Sequence, residues 1–463
     1  MDQRRRRRAA PAAVGAALLL LAACGAGVQG KPGGNRLHDP DPYFPRLGNG
    51  GYDVRHYSLT LAYDPGSGRL TGTADITARA TQDLSAFTLD FAGMTVRGAT
   101  VDGRYAPANR AGTELTIRPH HDVARGDTFR TVVRYAGKPK TITDPDASDE
   151  GWLPDGDDAL ALGEPTGSMA WFPGNNHPSD KATYDIAITV PAGLQAVSNG
   201  RLTSRRTSGG RTTFHWHTAE PMASYLAMLA IGRYRTHSFT SPSGLPVFTA
   251  VAPSEEKSSA SAVARLPEII AWETKQFGPY PFDSTGAVIA PAGAAGYSLE
   301  TQTRPVLPGD QASLPTLVHE LSHQWFGDSV TPTSWRDMWL NEGFATYAAW
   351  LWDADHGGES VQDHFDDAYD SEGNWDFPPA DPPGPKQISA SPVYGRGAMV
   401  LQMIRRRVGD DAFFSLVRGW ARDHRYANVT TAEFTRYAEK KTGKDLGAIW
   451  KSWLYGKDKP ARP

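Results

Sequence analysis

Between residues 46 and 251 apolar and polar side chains alternate with period two. Tyr57, Leu59, Leu61 and Tyr63 interleave with Ser58, Thr60 and Ala62, and Phe87, Leu89 and Phe91 with Thr88 and Asp90. Alternation of this kind predicts strands with one buried face. Turn clusters such as Asp64-Pro65-Gly66-Ser67-Gly68 and Ser208-Gly209-Gly210 punctuate them. Residues 46–252 are therefore expected to form an N-terminal all-β domain of mostly antiparallel sheet. After Pro253 the pattern turns helical. Helices are predicted over 258–277 (with Pro267 marking a kink or a late start), 314–326, 337–355, 398–408, 411–422 and 431–441, the last behind a cap at Thr430. The acidic, proline-rich stretch 363–385 reads as a loop. The fold class is thus α+β multidomain, an all-β half followed by a mainly α half over 253–463.

At 463 residues the chain exceeds one ordinary domain, and 40% apolar content with 13 tryptophans supplies a core. The formal net charge is −3, and it becomes more negative once residues 1–23 are set aside, since they carry the arginines at 4–8. No electrostatic footprint for nucleic acid is present. The basic tract precedes an apolar run over 12–23, too short to span a bilayer and of signal-peptide length. It ends Leu21-Ala22-Ala23-Cys24, and Cys24 is the only cysteine, so neither an internal disulfide nor a cysteine metal site is available. This tail resembles the lipobox of bacterial lipoproteins. It implies a signal peptide over 1–23, lipidation of Cys24, and residence at the outer face of the cell membrane. The alternative is an ordinary secretory signal. Residues 24–45, rich in Gly, Pro and Asp, read as a flexible tether.

The chemistry centres on His319-Glu320-Leu321-Ser322-His323. Two histidines at i and i+4 project from one helix face, so both imidazoles can reach one ion. Ser313 is a plausible cap, Pro315 is tolerated in the first turn, and Leu314, Leu317, Leu321 and Trp325 form the buried stripe. Glu320 lies about 100° around the helix from His319, placed to face the attacking water rather than to ligate. Catalytic zinc takes three protein ligands and keeps a position for water. Glu342, with eighteen residues between it and His323, lies in Trp339-Leu340-Asn341-Glu342-Gly343-Phe344-Ala345 on the next predicted helix. Antiparallel packing of the two helices would bring it beside the histidines. One Zn²⁺ per chain is expected.

The run Val318-His319-Glu320-Leu321-Ser322-His323-Gln324-Trp325-Phe326-Gly327-Asp328, followed by the Glu342 segment, resembles the aminopeptidase N family of zinc metallopeptidases, the gluzincins. Tyr52-Asp53-Val54-Arg55-His56-Tyr57, Leu89-Asp90-Phe91, Lys181-Ala182-Thr183-Tyr184-Asp185 and Ser198-Asn199-Gly200 are similar to strands of that family's β-saddle domain. The resemblance covers about residues 46–455 and stops near Trp450, Trp453 and Tyr455. There the family's thermolysin-like catalytic domain normally ends and the helical domain of its large members would begin. It implies hydrolysis of the N-terminal residue from peptides, with Glu320 as general base. Tyr394, in Tyr394-Gly395-Arg396-Gly397-Ala398, matches the family's oxyanion-stabilising tyrosine. Glu300 matches the glutamate of its Gly-Ala-Met-Glu-Asn segment, although Tyr297-Ser298-Leu299-Glu300-Thr301 departs from that pattern elsewhere. Glu164, in Gly163-Glu164-Pro165-Thr166, matches a second acid that reaches the substrate amine.

Three other readings stay open at this level, an endopeptidase on the same zinc chemistry, a non-catalytic binding lipoprotein, and epoxide hydrolysis in the manner of the family's leukotriene hydrolases. Oligomeric state is not legible. His215 and His217 alternate with Trp216 and read as exposed sheet residues, and His177 as a loop histidine. Asp363, Asp366, Asp367 and Asp370 read as a solvated face or a pocket rim.

Overall fold

The computed structural model describes residues 30–33 and 40–463. Cys24, the leader 1–23 and most of the expected tether lie outside the described residues. Among those described, no helix is long and apolar enough to cross a membrane.

The alternating half forms strands as its periodicity requires. Tyr52–Asp64 and Arg69–Ala80 pair antiparallel across the Pro-Gly turn. A bulge between Val54 and His56 adds one residue, so the buried parity moves from Tyr52 and Val54 to Tyr57, Leu59, Leu61 and Tyr63. These strands sit in an eight-stranded sheet. Its order is Arg201–Ser208, Arg211–Ala223, Lys181–Pro191, Tyr52–Asp64, Arg69–Ala80, Thr128–Gly137, Thr95–Val101 and Arg104–Tyr105. The pairing of Lys181–Pro191 with Tyr52–Asp64 is parallel, and the other pairings in this sheet are antiparallel. A five-stranded sheet (Thr141–Thr143, Asp149–Asp155, Asp158–Leu162, Leu229–Gly232, Gln195–Ser198) delivers Glu164 just beyond one of its strand ends.

The expected boundary at 252/253 falls inside a sheet. Arg235–Thr240 and Pro246–Val251 pair onward with Thr285–Ala290 and Val306–Pro308. The change of period at Pro253 marks where helices begin, whereas the sheet of the second half starts about eighteen residues earlier. Strand periodicity carries no label for which sheet a strand joins.

Helices form at Ala260–Ala264 and Leu266–Phe277, Leu314–Ser322, Trp339–Asp355, Gly397–Val408, Asp410–Asp423 and Thr431–Thr442. The break at Arg265 is the late start that Pro267 predicts. Thr430 makes a capping box with Glu433. A further helix, Val361–Asp370, replaces part of the loop expected over 363–385. Ser360 caps it reciprocally with Asp363, and Phe365 and Tyr369, spaced i and i+4, bury its inner face. Asp366 and Asp370 pair with Arg462 on its exposed side.

The expected tether is docked where it is described. Asp41 is 2% exposed and accepts from Ser334 Oγ (2.7 Å) and the backbone N of Trp335 (2.8 Å), while Phe44 packs edge-on against the Trp335 ring. Glycine and proline composition signalled slack chain, but one carboxylate capping a turn 293 residues away holds it.

Arg304 joins the two halves. It is fully buried, lies against the rings of Trp216 and Phe248, which themselves meet edge to face, and donates to the carbonyls of Phe248 (3.1 Å), Gly200 (3.0 Å) and Ser198.

Candidate active site

The histidine helix, Leu314–Ser322, starts as its sequence requires. Ser313 Oγ accepts from the backbone N of Thr316 (3.2 Å), and Pro315 occupies the first turn. Leu317, Val318 and Leu321 bury its inner face. Regular helix ends earlier than the expected Phe326, yet His323 at the C-cap keeps right-handed geometry (φ −58°, ψ −22°), so both histidines share one face. The chain then reverses through Gly327 at φ +132°. A Cβ there would stand 3.3 Å from His323 Nδ1 and from the Asn341 amide, so conformation and space both select glycine.

The glutamate helix, Trp339–Asp355, carries Glu342 to the same point. Glu342 Oε2 lies 3.1 Å from His319 Nε2 and 3.4 Å from His323 Nε2, and the two Nε2 atoms are 3.1 Å apart. His323 Nδ1 bonds the Phe326 carbonyl (3.0 Å), which leaves Nε2 with its lone pair toward the cavity. The three ligand atoms lie within 4.8 Å of one another. Two imidazoles, that of His323 oriented from behind, and one carboxylate form the donor set that suits zinc with a position left for solvent. The residues fit the ion.

Immediately after Glu342, Gly343 meets Gly397 of the helix Gly397–Val408. A Cβ on Gly343 would come within 2.9 Å of the Gly397 carbonyl carbon. This backbone-to-backbone approach draws in the π-helical turn Pro392–Arg396, which carries Tyr394. The Tyr394 ring stacks on His319 with centroids 6.0 Å apart and planes inclined by 16°. Burial, and then the surrounding carboxylates led by Glu342, hold the phenol well above its usual range, so it remains a neutral donor.

Glu320, Glu300 and Glu164 complete the cluster. Carboxylate atoms of Glu300 and Glu320 lie within 4.8 Å of a His323 nitrogen and of each other, and the same holds among Glu164, Glu300 and Glu342. Burial pushes the Glu320 carboxyl well up, with His323 pulling it down. Glu164 is raised by burial and then by the facing Glu300, and Glu300 itself is raised chiefly by burial. Glu300 is 3% exposed, and its Oε1 meets no hydrogen-bond donor. Two acids pressed together beside a third leave a place that a cation would relieve.

Glu300 is held by residues that the matching segments contain but to which the sequence assigned no role. Gln324 donates to the Glu300 carbonyl (3.0 Å) and accepts from the backbone N of Thr303 (2.6 Å), which sits at φ +68°. Asn199 donates to the Gln302 carbonyl (2.9 Å). Gln324 directly follows His323 and Asn199 lies in Ser198-Asn199-Gly200, so both stood within the segments that carry the resemblance.

All the expected site residues within the described chain, His319, Glu320, His323, Glu342, Tyr394, Glu300 and Glu164, line one cavity of about 490 Å³. The histidines set aside stay outside it. His217 pairs with Asp185 (2.7 Å) on the sheet, His215 is exposed, and His177 is 3% exposed and bonds Ser179 Oγ (2.7 Å).

Comparison with known proteins adds an independent line. The Peptidase M1 N-terminal domain matches residues 54–226 and the Peptidase family M1 domain matches residues 308–453, between them more than half of the chain. "Probable aminopeptidase 1" of Sulfurisphaera tokodaii is 26% identical over 326 residues, covering 65% of this chain and 41% of that protein. "Aminopeptidase 2" of Candida albicans is 24% identical over 436 residues, covering 86% of this chain and 46% of that protein. The chain thus spans less than half the length of these curated relatives. A crystal structure of an M1 zinc metallopeptidase from Deinococcus radiodurans superposes with a TM-score of 0.85 at 28% identity, covering 91% of this chain and 97% of that one. A mutant of the latter, bound to the peptide Tyr-Ser-Ala, superposes equally well (TM-score 0.85, 29% identity, 91% and 98% covered).

Proposed function

This chain belongs to peptidase family M1, whose cofactor is zinc, and on that premise we propose that it is an aminopeptidase that removes the first residue of peptides. The observation that carries the proposal is the pairing of two half-sites in one cavity, a histidine–histidine–glutamate set and an uncompensated acid pair beside it.

Zinc held by His319, His323 and Glu342 would supply a Lewis acid that polarises the scissile carbonyl and lowers the pKa of the attacking water toward about 7. Glu320 takes the proton of that water as general base and passes it to the departing amine. Tyr394 donates its O–H to the oxyanion as the tetrahedral centre forms, a task that suits a neutral phenol. Glu164 and Glu300 accept from the substrate α-ammonium. They fix the peptide terminus one residue from the scissile bond, which is what makes the cut exopeptidic.

The test compares leucine p-nitroanilide with its N-acetylated form, each with and without chelator. Hydrolysis of the free-amine substrate alone, abolished by chelator, is expected. Equal turnover of both forms would refute the assignment of Glu164 and Glu300.

Export and a lipid anchor on Cys24 form a second part of the reading, supported by the arginines at 4–8, the short apolar run and Leu21-Ala22-Ala23-Cys24. Metabolic incorporation of a fatty-acid analogue, lost in Cys24→Ser, is the expected result. Unlabelled wild-type protein would refute it.

A further inference from the structure

Tyr394 is placed by its backbone. Among the described residues its phenol oxygen makes no hydrogen bond, and its ring lies against that of His319. The turn that carries it, Pro392–Arg396, is π-helical and opens on a proline, which has no N–H to give. A short, wide turn of this kind must be held from outside.

Arg396, two residues on, supplies the hold. It is fully buried, and its guanidinium donates to four main-chain carbonyls. Nε donates to Trp453 (2.9 Å), Nη1 to Phe377 (3.3 Å), and Nη2 to Ser452 (3.2 Å) and Gly456. Its Cζ stands 4.9 Å from the centre of the Trp375 ring, which meets the Trp453 ring edge-on. No carboxylate is among these partners, so carbonyl dipoles and a ring face alone offset the burial of a cation. Burial draws the group down to about 10, which leaves it charged at neutral pH. Ser452 and Trp453 belong to the turn Trp450–Leu454, so Arg396 ties the tyrosine's turn to a segment 57 residues away. A Cβ on Gly395, between the two side chains, would stand 2.6 Å from the Asn374 amide, so the link has no slack on that side. Five donors in a planar fork can serve carbonyls on several sides at once, which the single ammonium of a lysine cannot.

We propose that Arg396 is a positioning residue, one that holds the turn Pro392–Arg396 so that the Tyr394 O–H meets the developing oxyanion. This rests on the reading of Tyr394 as the oxyanion donor and says what aims it.

The experiment is a double-mutant cycle on zinc-loaded full-length protein with leucine p-nitroanilide. It compares wild type, Arg396→Lys, Tyr394→Phe and the combination. Arg396→Lys should lower kcat by about tenfold to a hundredfold, the range for a group misplaced by up to about 1 Å, with KM within about twofold and zinc per chain unchanged. In the Tyr394→Phe background there is no O–H left to misplace, so adding Arg396→Lys should change kcat by less than about twofold. A merely structural role predicts the same fall in both backgrounds. That result, or wild-type kcat in Arg396→Lys, would overturn the proposal. Should Arg396→Lys fold poorly, Trp375→Phe takes its place, since it leaves the four carbonyl bonds and shrinks the ring under the guanidinium. A fall in kcat of about threefold or more, again confined to protein with the Tyr394 hydroxyl, is then expected, and its absence overturns the proposal. Full activity of Tyr394→Phe alone would instead remove the oxyanion reading, and this one with it.

Discussion

Replacing Tyr394 by Phe removes one O–H and leaves the rest of the site in place. The ring keeps its stack on His319, with centroids 6.0 Å apart, and the turn Pro392–Arg396 keeps its backbone. What disappears is a single neutral donor aimed where charge develops. Loss of one such donor costs about 10²–10³ in kcat, or roughly 3–4 kcal/mol of transition-state stabilisation. The ground state makes no use of that bond, so kcat and kcat/KM should fall together while KM stays within about twofold. Burial keeps the wild-type phenol protonated beyond its ordinary range. The alkaline limb of the pH–rate profile should therefore be the same in both proteins. The assay is steady-state hydrolysis of a free-amine anilide, with zinc per chain measured on the same samples. A variant that retained kcat within about fivefold, or lost its zinc along with its rate, would show that Tyr394 does not bind the oxyanion.

Glu320→Gln should leave zinc bound at wild-type stoichiometry and lower kcat by about 10²–10⁴, the range for a positioned general base; metal analysis beside kinetics checks both halves. Gly343→Ala would press a methyl against the Gly397 backbone, at 2.9 Å and 3.0 Å, destabilising the fold by about 1–3 kcal/mol in denaturant titrations and lowering kcat through displacement of Tyr394. Asp180 is held up at about 7 by burial and by Asp53, against about 3.9 for a free carboxyl. The native chain therefore binds this proton more tightly than the unfolded one. Its contribution to stability is fully present below about pH 4 and is lost as pH rises to about 7, a penalty on the order of 4 kcal/mol. Asp180→Asn, which can still accept from Asn175 and Val54, should thus raise the melting temperature relative to wild type increasingly from pH 4 to 7; a constant difference across that window would refute the assignment.

The metal-binding set was legible because its logic is local. A helix turn relates His319 to His323, and a second motif supplies Glu342 within the next helix. Glu300, Glu164 and Tyr394 carry no such local signature. They are an isolated acid, an acid before a proline and a tyrosine before a glycine, and only a resemblance could single them out. The loop over 363–385 went astray because overall acidity and proline content outweighed a short amphipathic stripe. Ser360, Asp363, Phe365 and Tyr369 contained the correct answer. The docking of residues 40–45 was hidden for a different reason. Whether Asp41 floats or docks depends on Ser334 and Trp335, far along the chain, and no window of neighbouring residues contains that partner. The clamp of Gln324 and Asn199 on the Glu300 strand is likewise a long-range fact.

Arg304 has a consequence for how such an enzyme can change. Its guanidinium meets carbonyl oxygens at Ser198 and Gly200 on one side and at Phe248 on the other, without a carboxylate among those bonds. Separating the halves would strip this cation of the Ser198 and Gly200 carbonyls and leave it that of Phe248 alone. The second half should therefore lose stability without the first. Glu300, proposed above as the acid that counts off one residue from a peptide's end, stands four positions before this rivet. The ruler is thus fastened to both plates at once, and a drift in either would blur the measurement before it disturbed the chemistry.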